Sequence, residues 1–485
     1  MEEIIGRAEE LQLLADIKKT PAAELVAVYG RRRVGKTYLI RSFFENELLF
    51  EISGLHNASL QEQLENFKDC LSQTVPKHKK KPAIPETWLQ AFQQLIRVLQ
   101  PQIARRKKVI FFDEFPWLDS PRSGFMPAFE NFWNSWASRQ KNLVVIICGS
   151  AASWMIRKIV NNRGGLHNRL TRQIRLLPFS LAETEQFFRA QAIKLDRYQV
   201  LQLYMAMGGV PQYLKQVKRG ESAIQAIDRI CFTKDSYLTN EFSNLYRSLF
   251  DNAQHHISIV KALAGKPSGL TRNAIIHTLR LSSGGGITQT LDELTESGFI
   301  KSYIPFGKTV KNSIYKLTDE YSLFYLKFIA PNKRPGKGTW IKLFNTASWK
   351  SWSGYAFEGI CQKHLEQLKA ALGISGIHTQ ESIWRATAPG ATRQGAQIDL
   401  VIDRNDRCIN IFEMKFAAST LVIPRSYRAS LLNKQALFIE TTGTKKTVFL
   451  GFMTTFGVKN AADYAGLIQH QFTMDVLFNA AVALL

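Results

Sequence analysis

Residues 24–40 read ELVAVYGRRRVGKTYLI, and this stretch joins three kinds of local structure. A buried β-strand is predicted by its apolar first part, ELVAVYG (24–30), and a helix is predicted by its last part, TYLI. Between them, Gly30 to Thr37 fit the pattern G-x-x-x-x-G-K-T. A strand, this loop and a helix in that order are typical of a phosphate-binding loop, or P-loop, so the stretch predicts a parallel α/β sheet with a nucleotide site.

Each residue type in this loop suits a phosphate group. Glycines let backbone N–H groups curl around phosphate oxygens, Lys36 supplies a positive charge for the β- and γ-phosphates, and the Thr37 hydroxyl can ligate Mg²⁺. We therefore expect ATP and Mg²⁺ as cofactors. The residues expected to contact the nucleotide are Gly30, Arg31, Arg32, Arg33, Val34, Gly35, Lys36, Thr37 and Tyr38.

Two further apolar runs predict strands of the same sheet, KVIFFDE at 108–114 and LVVIICGS at 143–150. The first ends in Asp113 and Glu114, which should project from the edge of the sheet where the phosphates lie. We expect Asp113 to hold Mg²⁺ through water and Glu114 to polarise the water that attacks the γ-phosphate. The chain is therefore predicted to hydrolyse ATP as well as bind it.

Three other polar residues have two interpretations each. Ser150, at the end of the third strand, is either a sensor of the γ-phosphate or the N-cap of the next helix. Arg169 and Arg172, in the stretch HNRLTRQIR, either supply positive charge to the transition state or belong to a solvated basic segment. The sequence alone does not choose between these roles.

Composition narrows the class of protein. The 485 residues carry a net charge of +23, which predicts polyanionic partners such as DNA, although a merely soluble basic surface is the alternative. Five scattered cysteines without a C-x-x-C pair argue against disulfides and zinc and favour the cytoplasm. No apolar run is long enough to span a bilayer, so no membrane association is expected.

A chain of this length predicts several domains. Residues 1–178 would form the P-loop core, and helical periodicity predicts a helical subdomain over 179–250. Three compact amphipathic helices and a β-hairpin predict a winged helix-turn-helix over 251–330, which either binds DNA or only docks on the ATPase. Pro, Gly and Lys predict a linker at 331–350, and alternating helix and strand patterns predict an α/β domain over 351–485.

Five segments together resemble the archaeal-type ATPases of the AAA+/STAND group of P-loop proteins, over about residues 1–330. The resemblance implies that Gly6 and Arg7 lie near the adenine and that the helices of 179–250 form a lid. It also implies nucleotide-dependent switching, and a homo-oligomer is a further expectation. The segments are IIGRAEELQLL (4–14), VYGRRRVGKTYLIRSFF (28–44), FFDEFPWL (111–118), ICGSAASWM (147–155) and GGVPQYL (208–214).

Members of that group often carry a last domain similar to PD-(D/E)xK nucleases, which have a restriction-endonuclease-like fold. That pattern needs a helical Glu, then an Asp on one strand, then E-x-K on the next. Here Glu358 lies in a helical pattern, Asp399 lies in AQIDLVID, and Glu413 and Lys415 lie in INIFEMKF. One departure is that Ile398 stands where a Pro often precedes the Asp.

The chemistry of such a site follows from strand geometry. Alternation along a strand puts Glu413 and Lys415 on one face, beside Asp399 from the neighbouring strand. The carboxylates of Asp399 and Glu413 would then bind one Mg²⁺ or Mn²⁺, and Lys415 would orient or activate the nucleophile. Glu358 would complete the site through water or a second metal.

The favoured interpretation is an ATPase that binds DNA and cleaves it under nucleotide control, as a metal-dependent endonuclease. A second interpretation is a nucleotide-switched DNA-binding regulator whose nuclease-like domain is not catalytic. A third is a translocase in which hydrolysis of ATP drives movement and cutting is incidental.

Overall fold

A computed structural model of the chain describes residues 3–75, 80–103, 106–150, 152–160, 164–250, 252–282, 284–332, 336–386, 395–459 and 466–480. The chain divides into two compact units. The first contains Met1–Pro178 with two short later segments, Leu245–Ala253 and Glu296–Gly298. The second contains Phe179–Asn244, Gln254–Thr295 and Phe299–Leu485.

Both units contain helices and strands. The helices are α1 (Ala8–Lys19), α2 (Lys36–Phe43), α3 (Leu60–Thr74), α4 (Trp88–Leu99), α5 (Phe115–Leu118), α6 (Phe125–Ser135), α7 (Ala152–Met155), α8 (Leu181–Ala190), α9 (Arg197–Met207), α10 (Pro211–Leu214), α11 (Ala223–Phe232), α12 (Glu241–Arg247), α13 (Ala253–Ala264), α14 (Arg272–Leu279), α15 (Gly285–Glu296), α16 (Glu320–Phe324), α17 (Thr339–Leu343), α18 (Ala347–Lys363), α19 (Leu365–Ala371) and α20 (Arg425–Thr442). The strands are β1 (Glu24–Tyr29), β2 (Leu48–Ser53), β3 (Lys108–Asp113), β4 (Leu143–Gly149), β5 (Arg172–Arg175), β6 (Leu270–Thr271), β7 (Ile300–Tyr303), β8 (Ile314–Leu317), β9 (Thr379–Ala386), β10 (Ala396–Arg404), β11 (Cys408–Lys415), β12 (Thr447–Thr454) and β13 (His470–Thr473). Within the described residues, no helix combines the length and the apolar character that crossing a membrane requires.

The first unit is built on a parallel five-stranded sheet in the order β2-β3-β4-β1-β5. The predicted parallel α/β fold is therefore confirmed, and the three predicted strands β1, β3 and β4 lie next to one another at its centre. The sequence did not indicate the two edge strands. Three of the four residues of β5 are exposed and β2 is only half-buried, so neither has the continuous apolar run of a central strand.

Side chains of the central strands alternate between two cores. Leu25, Ala27 and Tyr29 of β1 pack into one core, and Val26 and Val28 pack into the other, so helices cover both faces of the sheet. The first core is aromatic. It contains Phe50, Phe67, Trp88, Phe92, Phe112, Phe125, Phe129 and Phe132.

In the second unit, α13, α14 and α15 accompany a small antiparallel sheet in the order β6-β8-β7. The predicted hairpin is present, with Ile300 opposite Leu317 and Tyr303 opposite Ile314. The segment assigned by resemblance to a helical lid, 179–250, belongs to this second unit as far as Asn244.

The last part of the chain forms a mixed sheet in the order β13-β12-β11-β10-β9. β10 pairs antiparallel with both β9 and β11, whereas β11, β12 and β13 run parallel. Helix α20 connects the parallel strands β11 and β12, as such a crossover requires.

The described part of the predicted linker contains a helix that is anchored in the second unit. Trp340 of α17 is 2% exposed and stacks on Phe232 with ring centroids 5.7 Å apart. The carboxylate of Asp228 accepts hydrogen bonds of 2.7 Å from the backbone N–H groups of Gly338 and Trp340. This segment is therefore structured, since its helix start is capped and its indole ring is packed.

Candidate nucleotide and metal sites

The P-loop connects β1 to α2, and its glycines have conformations that suit a close turn. Gly30 has φ +150°, and a Cβ there would lie 2.2 Å from the carbonyl oxygen of Leu176, so a larger residue is excluded by contact. Gly35 has φ +93° and precedes the first residue of α2. A left-handed backbone of this kind favours glycine. The loop therefore delivers its backbone N–H groups to the N-terminus of α2, where they can face an anion.

Lys36 is the first residue of α2, and its side chain is turned back over the loop. Its ammonium donates hydrogen bonds of 2.9 Å to the carbonyl oxygens of Gly30 and Arg31. The residue is only 6% exposed. The structure thus holds the ammonium charge inside the loop, where a phosphate of the nucleotide would lie.

Thr37 and Asp113 meet although they are 76 residues apart in sequence. The Thr37 hydroxyl donates a 2.9 Å hydrogen bond to Asp113 Oδ2, and the Ser53 hydroxyl donates a 3.3 Å bond to the same atom. The second oxygen, Oδ1, is buried and accepts no hydrogen bond from the described residues. A buried carboxylate oxygen without a donor fits a hydrated cation, so this donor set suits Mg²⁺.

Glu114 and Ser150 form a second polar pair next to this one. The Ser150 hydroxyl donates a 2.7 Å hydrogen bond to Glu114 Oε2, and its backbone N–H donates a longer bond of 3.3 Å. Glu114 has φ 44°, so the backbone leaves the direction of β3 at this residue. Helix α5 begins at the next residue, Phe115. The Ser150 hydroxyl is therefore directed at Glu114, and neither the sensor nor the N-cap interpretation anticipated this contact.

The other residues that were predicted to contact the nucleotide have different surroundings. The Arg32 guanidinium lies 5.6 Å from the ring centroid of Trp117. The carbonyl of Val34 accepts a 3.0 Å hydrogen bond from Arg7, which joins the segment expected near the adenine to the loop. Arg33 has φ 70°, and Tyr38 is 44% exposed at the start of α2.

Arg169 and Arg172 are both exposed. The Arg172 guanidinium donates a 2.8 Å hydrogen bond to the carbonyl of its neighbour Thr171. Within the described residues, neither arginine is hydrogen-bonded to the P-loop. The structure therefore does not bring these two side chains into the nucleotide site.

The second candidate site lies on the antiparallel strands β10 and β11. Their register pairs Leu400 with Phe412, which places Asp399 opposite Glu413 one step further along. The backbone N–H of Met414 is 3.5 Å from Asp399 Oδ2, and the Lys415 ammonium is 3.4 Å from Glu413 Oε2. The structure thus brings together three of the four residues of the predicted nuclease pattern.

The fourth residue, Glu358, lies on α18 and interacts electrostatically with this group. Burial, followed by repulsion from Asp399, raises the pKa of Glu358 to about 8. Burial and the charge of Glu413 likewise raise the pKa of Asp399. Gln362, one turn after Glu358, donates a 2.9 Å hydrogen bond to the backbone carbonyl of Asp399. Crowded carboxylates that resist ionisation are the environment that a cation relieves.

Three residues at this site were not indicated by the sequence analysis. Tyr427 and Lys434, seven residues apart on α20, donate hydrogen bonds of 2.9 and 2.6 Å to the two oxygens of Glu413. Lys316 of β8 interacts electrostatically with Glu358, and burial lowers its own pKa. The i, i+7 spacing of Tyr427 and Lys434 on one helix face was the available signal.

The donor set at this second site is smaller than at a typical preformed metal centre. In the part of the chain that the structure describes, no group of three or more His, Cys, Asp or Glu side chains is arranged to hold a metal ion. Asp399 and Glu413 supply hard oxygen donors of the kind that Mg²⁺ and Mn²⁺ prefer. The residue types fit such a cation, while the hydrogen bonds to Glu413 would have to rearrange when the cation binds.

Comparisons with known proteins agree with the geometry of the first site. Residues 4–217 match a family described as an ATPase domain found predominantly in Archaea. An uncharacterized protein of Methanocaldococcus jannaschii is 24% identical over 417 residues, which cover 85% of this chain and 87% of that protein. An uncharacterized ATP-binding protein of the same organism is 49% identical over 43 residues, which are 9% of this chain and 73% of that protein.

Among solved structures, the Walker-type ATPase of Pyrococcus abyssi is similar with a TM-score of 0.47 and 17% identity, over 67% of this chain and 96% of that one. The ORC2 protein of Aeropyrum pernix, in complexes with ADPNP and ADP, is similar with a TM-score of 0.40 and 15% identity, over 71% of this chain and 96% of that one. Residues 4–217 of this chain are therefore similar to an ATPase domain of the archaeal type, and the geometry of their P-loop agrees with that similarity.

Proposed function

We propose that this protein binds and hydrolyses ATP, binds DNA, and cleaves the DNA by metal-dependent phosphodiester hydrolysis under nucleotide control. The cleavage part rests on one observation, the proximity of Asp399, Glu413 and Lys415 on one β-hairpin. The ATPase part rests on the hydrogen bond between Thr37 and Asp113.

For hydrolysis of ATP, the loop N–H groups and Lys36 bind and orient the β- and γ-phosphates. Thr37 and Asp113 provide oxygens for Mg²⁺, which when bound neutralises phosphate charge. Glu114 orients the attacking water and accepts its proton. Ser150 holds the Glu114 carboxylate through the 2.7 Å hydrogen bond and so controls where that base points.

For DNA binding, α13, α14, α15 and the sheet β6-β8-β7 would act as a winged helix. The loop between β7 and β8 is the wing, and its Lys308 and Lys311 are exposed and suited to phosphates. The same loop also contacts the last sheet of the unit, where the Phe306 N–H donates a 2.9 Å hydrogen bond to the carbonyl of Ile383. The wing is therefore held in part by the last sheet, and its role in DNA binding needs a direct test.

For cleavage of DNA, Asp399 and Glu413 would hold the cation, which supplies an activated water and neutralises the scissile phosphate. Lys415 orients the water that attacks the phosphorus. Burial lowers the pKa of Lys415, but the neighbouring carboxylates, Glu413 above all, outweigh it and raise that pKa.

A second function has its own supporting observation. Both oxygens of Glu413 already accept hydrogen bonds, from Tyr427 and Lys434. A carboxylate satisfied by the protein can be structural, which would make the chain a nucleotide-switched DNA-binding regulator without nuclease activity. In that case the Lys434 ammonium takes the place that a metal would have.

One experiment separates these functions. Purified protein is incubated with supercoiled plasmid and Mg²⁺ or Mn²⁺, with and without ATP. Nicked or linear DNA supports the nuclease, whereas shifted but intact DNA supports the regulator. Mass measurement in solution with and without a non-hydrolysable ATP analogue tests the expected homo-oligomer.

A further inference from the structure

A cavity of about 520 Å³ lies next to Glu358 within the second unit. Its walls come from α13, β8, the π-helical turn that follows α16, and α18. Lining residues that can recognise a ligand are Lys261, Lys316, Lys327, Trp352, Tyr355 and Glu358. The first three lie within the segment 251–330, and no role of their own was assigned to them from the sequence.

The cavity carries an excess of positive charge. Lys261, Lys316 and Lys327 come from three different elements, and among the described residues none of them forms an ion pair. The acidic lining residue Glu320 is neutralised, since the Lys363 ammonium lies 2.6 Å from its carboxylate. Lys316 interacts electrostatically with Glu358, whereas Lys261 and Lys327 are exposed. Three lysines on one cavity favour an anionic ligand.

One face of α18 connects this cavity to the candidate nuclease site. Tyr355, Glu358 and Gln362 follow at helical spacing and all line the cavity. Tyr355 is 49% exposed, and the Gln362 amide donates its 2.9 Å hydrogen bond to the backbone of Asp399. A ligand that lies along this face therefore begins at an exposed aromatic ring and ends at the carboxylates.

The volume of the cavity limits which anionic ligand can enter it. Ligand pockets of about 300–1,000 Å³ accept molecules of the size of a nucleotide. A base-paired helix, whose major groove alone is about 12 Å wide, does not fit into such a volume. An aromatic ring beside lysines is the combination that binds single strands, because the ring stacks on a base while the ammonium groups contact phosphates.

We propose that this cavity binds an unpaired DNA strand, with Lys261, Lys316 and Lys327 on its phosphates and Tyr355 stacked on a base, and guides the strand toward Glu358. The inference deepens the proposed function, on which it rests, by naming the substrate class as single-stranded ends or flaps. A protein built this way prefers DNA that has lost base pairing near the cut.

The test measures binding and needs no cleavage. Fluorescence anisotropy with a labelled oligothymidine and with a blunt hairpin duplex is recorded in EDTA without nucleotide. We expect Lys261→Glu with Lys327→Glu to weaken oligothymidine binding about tenfold or more, because two phosphate contacts become repulsive. Tyr355→Leu should weaken it by about tenfold through loss of stacking. Duplex binding should fall by a clearly smaller factor than oligothymidine binding in all these variants.

Lys342→Glu, an exposed charge reversal on α17 outside the cavity, is the matched control. Equal losses in the control and the cavity variants, or no loss in either, would overturn the inference. Photocrosslinking of an iodouracil oligonucleotide locates the base directly. A crosslink at Tyr355 is the expected result, and a crosslink only outside the cavity contradicts it.

Failure of the inference and failure of the proposed nuclease are distinguishable. If wild-type protein cuts plasmid while the cavity variants bind oligothymidine normally, the nuclease stands and the cavity has no role in binding the strand. If the variants lose oligothymidine binding but wild-type protein never cuts, the cavity binds the strand and the regulator function replaces the nuclease.

Discussion

The P-loop and the carboxylate site of β10 and β11 are both buried charged sites, but they are assembled differently. Lys36 and Thr37 are neighbours in sequence, and loop carbonyls hold the Lys36 ammonium. Glu413 instead takes its partners from Lys415 on its own strand and from Tyr427 and Lys434 on α20. One site is a continuous segment, and the other is collected from distant parts of the chain.

This difference explains why the sequence predicts the P-loop more completely than it predicts the carboxylate site. In the P-loop the backbone provides most of the chemistry, so a short pattern of glycines describes it. In the carboxylate site, side chains provide the chemistry. The hydrogen-bond partners of each carboxylate decide whether it is available to a metal ion or is occupied by donors of the protein. If the second site is catalytic, its carboxylates should matter for cleavage of DNA as the P-loop residues should matter for turnover of ATP.

The largest effect is expected from removing either strand carboxylate. Asp399→Ala or Glu413→Ala should abolish cleavage of plasmid by removing a cation ligand. ATP turnover should remain at the wild-type rate, since the P-loop lies in the other unit. The measurement is gel analysis of plasmid beside release of phosphate from ATP. Cleavage at the wild-type rate in both variants would show that these two carboxylates are not the catalytic ones.

The next effect tests the P-loop itself. Lys36→Ala should remove nucleotide binding, whereas Glu114→Gln should preserve binding and lower the rate of hydrolysis by about 10²–10⁴-fold, the usual worth of a positioned base. Ser150→Ala should reduce the rate less, because it frees the base without deleting it. Titration with a fluorescent ATP analogue measures nucleotide binding, and steady-state turnover measures hydrolysis. Wild-type ATP affinity in Lys36→Ala would contradict the assignment.

A smaller effect is expected from the wing. Replacing Lys308 and Lys311 together by Gln should weaken duplex DNA binding several-fold and reduce the slope of log K against log salt by about 2, one for each phosphate contact. ATP turnover should not change. Anisotropy of a labelled duplex across a salt series gives both numbers. An unaltered slope would assign this loop to docking through Phe306.

The smallest effect is a shift of stability with pH. The Glu358 carboxyl has a pKa of about 8 in the folded protein against an ordinary value of 4.5. Between these values the folded protein holds a proton that the unfolded chain releases, so this carboxyl makes stability fall as pH rises. Glu358→Gln should remove that part of the dependence and raise the melting temperature in EDTA by about a few degrees at pH 8–9.

At pH 5 the Glu358→Gln variant and the wild type should melt together, because the carboxyl is then protonated in the folded protein. Thermal scans in EDTA at several pH values provide the comparison. A difference between the two proteins that stays constant from pH 5 to pH 9 would show that Glu358 does not titrate in this range.

Much of the first unit could be predicted from sequence because its central strands are continuous apolar runs. Strands β1, β3 and β4 differ from the predicted ranges by one residue at most. The edge strands β2 and β5 were missed because their exposed faces interrupt that pattern. Trp340 was placed in a linker because Pro, Gly and Lys precede it, although its ring packs in the second unit.

The sequence by itself determined the parallel sheet and the P-loop, since each follows from a local pattern, whereas the resemblance to nucleases implied that Asp399 lies beside Glu413. Only the tertiary structure decided that Ser150 holds Glu114, that Tyr427 and Lys434 satisfy Glu413, and that three lysines line the cavity beside Glu358. The physical reason is that periodicity describes which face of an element is buried, whereas the partner of a buried charge comes from another element whose position depends on packing of the whole unit.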